Sequence, residues 1–280
     1  RQFLPKHFWR SNLVDALHND HNALVIGQVA LGTAISDLVR HFGVEPQAVS
    51  GYSLGEAAGL FSLGAWSDRD GMAERLTASS LFVDDLAGEC KAAAKTWRLT
   101  PRQRVDWALG LVDAPQQRVR EALAGLDHVY LLIVNTYDES VVGGDRRQLE
   151  QLVERLGCHL LPLKGVTTVH CEVAKQVAAS YRALHLFPTT AAAGVRFYST
   201  ARGDSYPVAD QSAADVILEQ AVDTIDYTRV IEKLYADGVR LFLEMGPGNS
   251  CSRMINAILN GRPHLARAAC SPGQDAVSLL

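Results

Sequence analysis

Gly51-Tyr52-Ser53-Leu54-Gly55 constrains this chain more than any other stretch. A short apolar entry, Ala48-Val49-Ser50, leads into it, and an Ala-rich, helix-compatible run follows Ser53. Glycine two positions either side of the serine leaves room for a sharp strand-to-helix turn that lifts the hydroxyl out of a sheet. The Leu54 amide then falls at a helix N-terminus, where it can donate to an oxyanion. A bare Gly-x-Ser-x-Gly also arises in ordinary turns. The strand–turn–helix context is what points to a nucleophile.

The rest of the chain reads as α/β around this turn. His21 to His41 predicts a helix, with Leu24, Gln28, Leu31, Ile35 and Leu38 at helical spacing, ended by Gly43-Val44-Glu45-Pro46. Ser67-Asp68-Arg69-Asp70 is an N-cap cluster for a helix from Arg69 to Leu86. Residues 102–163 change character. Strand, helix, strand, strand, helix, strand are predicted at Val105–Val112, Pro115–Leu126, Val129–Val134, Ser140–Gly143, Arg146–Leu156 and Cys158–Leu163. That β-α-β-β-α-β order is the split βαβ arrangement of a ferredoxin-like subdomain. It divides the chain into a core, 1–101 and 164–280, and an insertion, 102–163.

Beyond the insertion, Gly165–His170 is a loop, Glu172–Leu186 a helix, and Val195–Ser199 a strand. Helices are predicted over Ala213–Gln220 and Tyr227–Asp237. Val239–Glu244 reads as a buried-type strand, turned by Met245-Gly246-Pro247-Gly248-Asn249 into a last helix, Ser250–Leu259. With 280 residues, 48% hydrophobic and 21% charged, the chain can bury a sizeable core as one large domain with an inserted unit.

A net charge of −4 leaves no basic footprint for nucleic acid or an anionic membrane, and no apolar run approaches the length of a bilayer span. The opening, Arg1-Gln2-Phe3-Leu4-Pro5-Lys6, is neither a signal peptide nor an initiation site, and reads as the start of a piece of a longer polypeptide. The five cysteines are scattered without a C-x-x-C pair, as expected for reduced thiols in the cytoplasm, and suggest no metal site.

A nucleophilic Ser53 needs a base, and nine histidines are present. His170 lies in a polar loop, Thr167-Thr168-Val169-His170-Cys171-Glu172, and His264 near the end of the chain is an equal candidate. Spacing alone does not choose between them.

The elbow, the insertion, the His170 loop and the Gly246-Pro247-Gly248 turn fall in the order found in malonyl-CoA:acyl-carrier-protein transacylases. The chain also resembles the acyltransferase domains of fatty acid and polyketide synthases. Ser79-Ser80-Leu81-Phe82, Val169-His170-Cys171-Glu172, Arg196-Phe197-Tyr198-Ser199 and Pro263-His264-Leu265-Ala266-Arg267 are similar in wording to those of polyunsaturated fatty acid synthases. The resemblance implies an α/β hydrolase-like core with a ferredoxin-like insert, and a Ser53–His170 dyad in which the Gln220 backbone carbonyl takes the place of a triad aspartate. It places Asn135 on the insert strand facing the cleft. The implied reaction moves an acyl group from acyl-CoA or an acyl-carrier protein, via Ser53, onto a carrier-protein phosphopantetheine inside a multienzyme synthase, with no tightly bound cofactor.

Departures from that pattern bear on substrate and rate. The family's opening strand ends in a Gly-Gln-Gly turn that donates a second oxyanion hydrogen bond, and Arg1–Asn22 contains none; Gly27-Gln28 falls within the helix predicted from His21. Loss of one such donor lowers the rate by about 10²–10³. Where malonyl-handling members clamp the free carboxylate with arginine, this chain has Ala78, with Arg75 one turn earlier as a possible substitute. Tyr52 replaces the usual histidine before the serine, and Val169 an aromatic before the catalytic histidine. These changes point away from a small dicarboxylate. The competing readings are an esterase or thioesterase using Ser53 with His264, and a non-catalytic docking domain of a synthase.

Overall fold

The computed structural model describes residues 20–165 and 167–271. Most of the Arg1–Asn22 stretch searched for the Gly-Gln-Gly turn therefore lies outside the described residues. The first helix, α1 (His21–His41), is capped by Asp20, whose carboxylate accepts from the Ala23 amide. It leads to β1 (Ala48–Ser50), then through the elbow to α2 (Gly55–Ser62). Asp68 caps α3 (Arg69–Ala78) by accepting from the Gly71 amide.

The row of residues whose spacing predicts α1 is not its buried face. Leu24, Leu31 and Leu38 are exposed, and the residues α1 buries are Gly32, Thr33 and Ser36. Small side chains let α1 lie close on α2, with the Ser62 hydroxyl donating to that of Thr33 at 3.5 Å. Val25, Ile26 and Val29 of α1 also pack, half-buried, against the larger core. By length and composition alone α1 also meets the requirement for a membrane crossing, with a window hydropathy of 1.4, which corrects the expectation that no run is long enough.

α3 stops at Ala78 instead of running to Leu86. Ser79 turns extended, its hydroxyl accepts from the Leu81 amide, and Leu81–Asp85 winds as a π-helical turn closed by Ser80 Oγ donating to Asp85 at 2.6 Å. The Ser79 hydroxyl takes a backbone amide out of the helical pattern where the helix ends. A short α4 (Lys91–Thr96), which the sequence pattern does not predict, follows.

The inserted segment contributes β2 (Trp107–Val112), α5 (Gln116–Ala122), β3 (Val129–Val134), β4 (Ser140–Asp145), α6 (Arg146–Leu156) and β5 (Leu160–Pro162). After it, the single helix expected over Glu172–Leu186 is a 3₁₀ turn, Glu172–Val177, running into α7 (Ala178–Leu184). Then come β6 (Arg196–Ser199), β7 (Asp204–Tyr206), α8 (Asp210–Val222), β8 (Ile225–Asp226) and α9 (Tyr227–Ala236). The chain continues through β9 (Leu241–Glu244), α10 (Ser250–Ile258) and β10 (Leu265–Ala268).

Three sheets form among the described residues. β1 pairs parallel with β6, Val49 beside Phe197, and β7 turns back antiparallel on β6. β9 and β10 pair parallel, and the third sheet has the order β5-β2-β4-β3-β8. Its last strand comes from outside the insertion: β8 pairs parallel with β3, Ile133 beside Ile225. The insertion has its own buried cluster, including Val112, Val119, Leu149, Leu152 and Leu156. The larger core packs α2 and its surroundings through Leu60, Phe61, Trp66 and Leu76. β9 is not the buried strand expected, since Leu241 and Leu243 are 55% and 37% exposed. Among the described residues it has a strand partner on one edge only, and a cavity of about 700 Å³ lies between β9 and β1.

Candidate active site

Ser53 sits on the turn between β1 and α2 with φ of 52°, a left-handed conformation that serine seldom adopts. Gly51 makes the turn possible, because a Cβ there would lie 1.9 Å from the Gly55 carbonyl carbon. Gly55 has open space at its own Cβ position and an ordinary φ. The turn therefore requires the first glycine of the motif and not the second. Leu54 caps α2, and its amide has no backbone or side-chain acceptor among the described residues, which leaves it available to an oxyanion.

His170 also has a positive φ, 65°. Two carbonyls at the C-terminal end of α8 hold it there. Its backbone amide donates to Ala221 O at 2.7 Å, and its ring Nδ1 lies 2.7 Å from Gln220 O. The last carbonyls of a helix have no partner within it, and they carry the negative end of its dipole. A carbonyl cannot donate, so Nδ1 carries the proton and Nε2 is left as an acceptor. Ser53 Oγ donates to that Nε2 at 2.8 Å. Burial drives the His170 imidazole down to about 4, against the opposing pull of the Gln220 carbonyl. The ring is therefore neutral at neutral pH and able to take a proton.

Tyr52 points to the other side of the elbow. Its hydroxyl donates to Asn135 Oδ1 at 2.7 Å, and Asn135 Nδ2 donates to Glu139 Oε1 at 2.8 Å. Arg253 on α10 closes the chain with a two-pronged bond to Glu139, 2.9 Å at each oxygen. Burial raises Glu139, but the Arg253 fork and the Asn135 amide outweigh it and leave the carboxyl below its usual range. Burial also pushes the Tyr52 phenol well above its ordinary value, so it stays a donor. Asn135, on the turn after β3, is thus engaged on both faces of its amide and ties the insertion to the elbow.

The remaining sequence candidates separate. Val169 is buried immediately before His170. Ala78 is exposed at the last residue of α3. Arg75 is committed elsewhere: its Nη1 donates to Leu186 O at 2.8 Å, and its guanidinium lies 4.1 Å from the centre of the Phe187 ring. His264 is bonded to Arg262 O at 2.8 Å and Asn256 Oδ1 at 3.0 Å, so it is not the partner of Ser53. Sequence reasoning gave no role to Glu56, Thr200, Glu139 or Arg253. Glu56 had one local signal, an acidic side chain one turn after the serine; the other three had none. Among the described residues no group of three His, Cys, Asp or Glu side chains is placed to hold a metal ion.

A hydroxyl on a strained elbow, bonded to a neutral imidazole whose far nitrogen is fixed by a carbonyl, has the parts needed for acyl transfer through a covalent serine ester. Comparison with known proteins bears out the resemblance drawn from the sequence. The chain is 26% identical to one of the polyunsaturated fatty acid synthase subunits of Thraustochytrium sp., over 90% of this chain and 13% of that protein. To another subunit of a polyunsaturated fatty acid synthase from the same organism it is 21% identical, over 85% of this chain and 8% of that protein. It therefore spans a small part of the length of either relative.

Among solved structures it shares the fold of the acyltransferase domain from the second module of the salinomycin polyketide synthase. The TM-score is 0.73 at 23% identity, over 97% of this chain and 59% of that one. It likewise matches an acyl carrier protein S-malonyltransferase from Vibrio cholerae, with a TM-score of 0.75 at 18% identity, over 98% of this chain and 84% of that one. No family model matches the chain.

Proposed function

We propose that this chain is an acyltransferase domain that carries an acyl group on Ser53. The 2.8 Å contact between Ser53 Oγ and His170 Nε2, with Nδ1 held by Gln220 O, is the observation that carries the reading. His170 takes the hydroxyl proton as Ser53 Oγ attacks the thioester carbonyl, and the Leu54 amide donates to the oxyanion. The carbon–sulfur bond then breaks, and His170 returns the proton to the leaving thiolate. The second half runs in reverse order. His170 takes the proton of a phosphopantetheine thiol, its sulfur attacks the seryl ester, and the proton passes back to Ser53.

The donor is an acyl-CoA or an acyl-carrier protein, the acceptor a carrier protein, and the setting a cytoplasmic multienzyme synthase, as the two synthase relatives support. No tightly bound cofactor takes part. Neutral acyl chains are favoured over malonyl, because Ala78 offers no cation and Arg75 is held by Leu186 O and Phe187. Residues 102–163 form a ferredoxin-like subdomain on an α/β hydrolase-like core made of 1–101 and 164–280. The fourth-first-third-second order of its strands and its separate buried cluster support that division.

The test is mass spectrometry after incubation with acetyl-, medium-chain acyl- and malonyl-CoA at equal concentration. Acylation confined to Ser53, fastest with the neutral chains and absent in Ser53→Ala, is the expected result. Labelling at another residue would remove the nucleophile assignment, and a malonyl preference would remove the substrate assignment.

A further inference from the structure

Glu56, one turn beyond Ser53 on α2, is buried, 6% exposed. Its Oε1 accepts from both the amide and the hydroxyl of Thr200, each at 2.5 Å. Thr200 follows β6, so these bonds tie the first turn of α2 to the end of the neighbouring strand. The Thr200 hydroxyl in turn accepts from Gln220 Nε2 at 3.2 Å. Gln220 is the residue whose carbonyl holds His170 Nδ1, and His170 Nε2 holds Ser53. The contacts close a ring from Ser53 through His170, Gln220, Thr200 and Glu56 back to Ser53 along α2. The second carboxyl oxygen, Oε2, has no hydrogen-bond partner among the described residues.

We propose that Glu56 is a positioning residue for the dyad: through Thr200 and the Gln220 side chain it fixes the carbonyl that orients His170. This rests on reading Ser53 and His170 as nucleophile and base. It assigns to a buried acid, two residues removed from the imidazole, the orienting work that a triad acid does by direct contact. Packing alone does not call for a carboxyl here, because a buried group that keeps one oxygen unpartnered destabilises the fold.

The ionised form is the one that grips Thr200, since a carboxylate accepts hydrogen bonds more strongly than a carboxylic acid. Burial raises Glu56 to about 7, with the Thr200 bonds and the Gln220 amide opposing and Glu219 adding to the rise. Glu219 on α8 is itself paired with Arg202, at 2.7 and 2.6 Å, and Tyr206 on β7 is the other titratable group facing the carboxyl. Ser53 reactivity therefore carries a partial step near pH 7, falling a few-fold on the acid side. The stability sign is opposite. A carboxyl raised in the fold favours the folded state below its unfolded value of 4.5 and disfavours it as pH rises through about 7.

The experiment follows the labelling rate of Ser53 by a fluorophosphonate, which reports activation of the serine whatever acyl chain the site prefers. Glu56→Gln and Thr200→Val are each expected to slow labelling about five- to tenfold, the rate equivalent of one weakened hydrogen bond. The double variant should be no slower than either single one, Thr200→Ser should restore the rate, and Glu56→Gln should lose the step near pH 7. At pH 8 Glu56→Gln should melt at or above the parent's temperature, which a purely structural role would not allow. Parent-like labelling in Glu56→Gln with the step retained overturns the proposal, as does slowing that tracks a lowered melting temperature. Fluorophosphonate labelling without any loading from acyl thioesters would instead overturn the transferase reading and leave the ring of contacts standing. A parent inert to the probe overturns both.

Discussion

Lowering the pH asks whether His170 is held neutral in the way its burial requires. An imidazole near its ordinary value of about 6.5 is only about 3% neutral at pH 5, whereas one held near 4 remains about 90% neutral. A base that must be unprotonated to act thus retains roughly thirty times more competence at pH 5 than an exposed histidine would. The same burial has a consequence for stability. His170 and His185 are both driven down to about 4, chiefly by desolvation, so each binds a proton more readily in the unfolded chain than in the fold. Their contribution to stability is complete above about 6.5 and lost as pH falls toward 4, by up to about 3 kcal/mol for each.

The assay is therefore rapid-quench acylation of Ser53 between pH 4.5 and 8, with the folded fraction measured by melting at every pH. Glu56→Gln is the better background, since it removes the step near pH 7 and isolates the limb that belongs to His170. The expected profile is flat to about pH 5 per folded molecule, while the melting temperature declines steadily below about 6.5. A rate per folded molecule that halves near pH 6.5 would refute the claim that the ring is desolvated, and with it the closed geometry of the dyad.

Gly51→Ala should abolish soluble, active protein, because its Cβ would overlap the Gly55 carbonyl; Gly55→Ala should keep its fold and melt at or slightly above the parent, read by circular dichroism. Tyr52→Phe leaves Asn135 Oδ1 buried without its donor and is expected to lower stability by about 1–3 kcal/mol in denaturant titration. Arg75→Ala should lower stability by about 0.5–1 kcal/mol through the lost contact with Phe187 and leave the order of acyl-CoA preference unchanged in the mass-spectrometric assay.

The elbow was legible because its causes are local. Gly51, Ser53 and the helix after them lie within one turn of chain, and the steric demand on Gly51 comes from Gly55 only four residues away. The strands and helices of the insertion were legible for a similar reason, as their periods change within short windows. Which face of an element is covered was less legible. The row Leu24, Leu31 and Leu38 marks α1 as a helix but lies exposed, and the fully buried positions are Gly32, Thr33 and Ser36. β9 reads as buried from Leu241-Phe242-Leu243, but among the described residues a parallel partner borders it on one side only. Spacing alone did not choose His170 over His264; the family resemblance did, and the fold brings Ser53 and His170, 117 residues apart in sequence, to 2.8 Å.

Both members of the dyad are left-handed, and neither conformation is one that serine or histidine would choose alone. Such a residue typically stores about 1–3 kcal/mol of strain, so two of them need surroundings that over-determine their positions. For Ser53 the constraint is steric, from β1 on one side and the start of α2 on the other. For His170 it is the pair of carbonyls at the end of α8, which hold the backbone and the ring together. Those two constraints lie on different elements, and a dyad assembled from them would drift with any relative movement of α2 and α8. The Glu56–Thr200–Gln220 contacts run directly between these elements, from the first turn of α2 to the last turn of α8. The strain that exposes the hydroxyl and the network that aligns the base therefore act as one device. Weakening the buried link is therefore expected to slow the reaction while leaving both reacting groups in place.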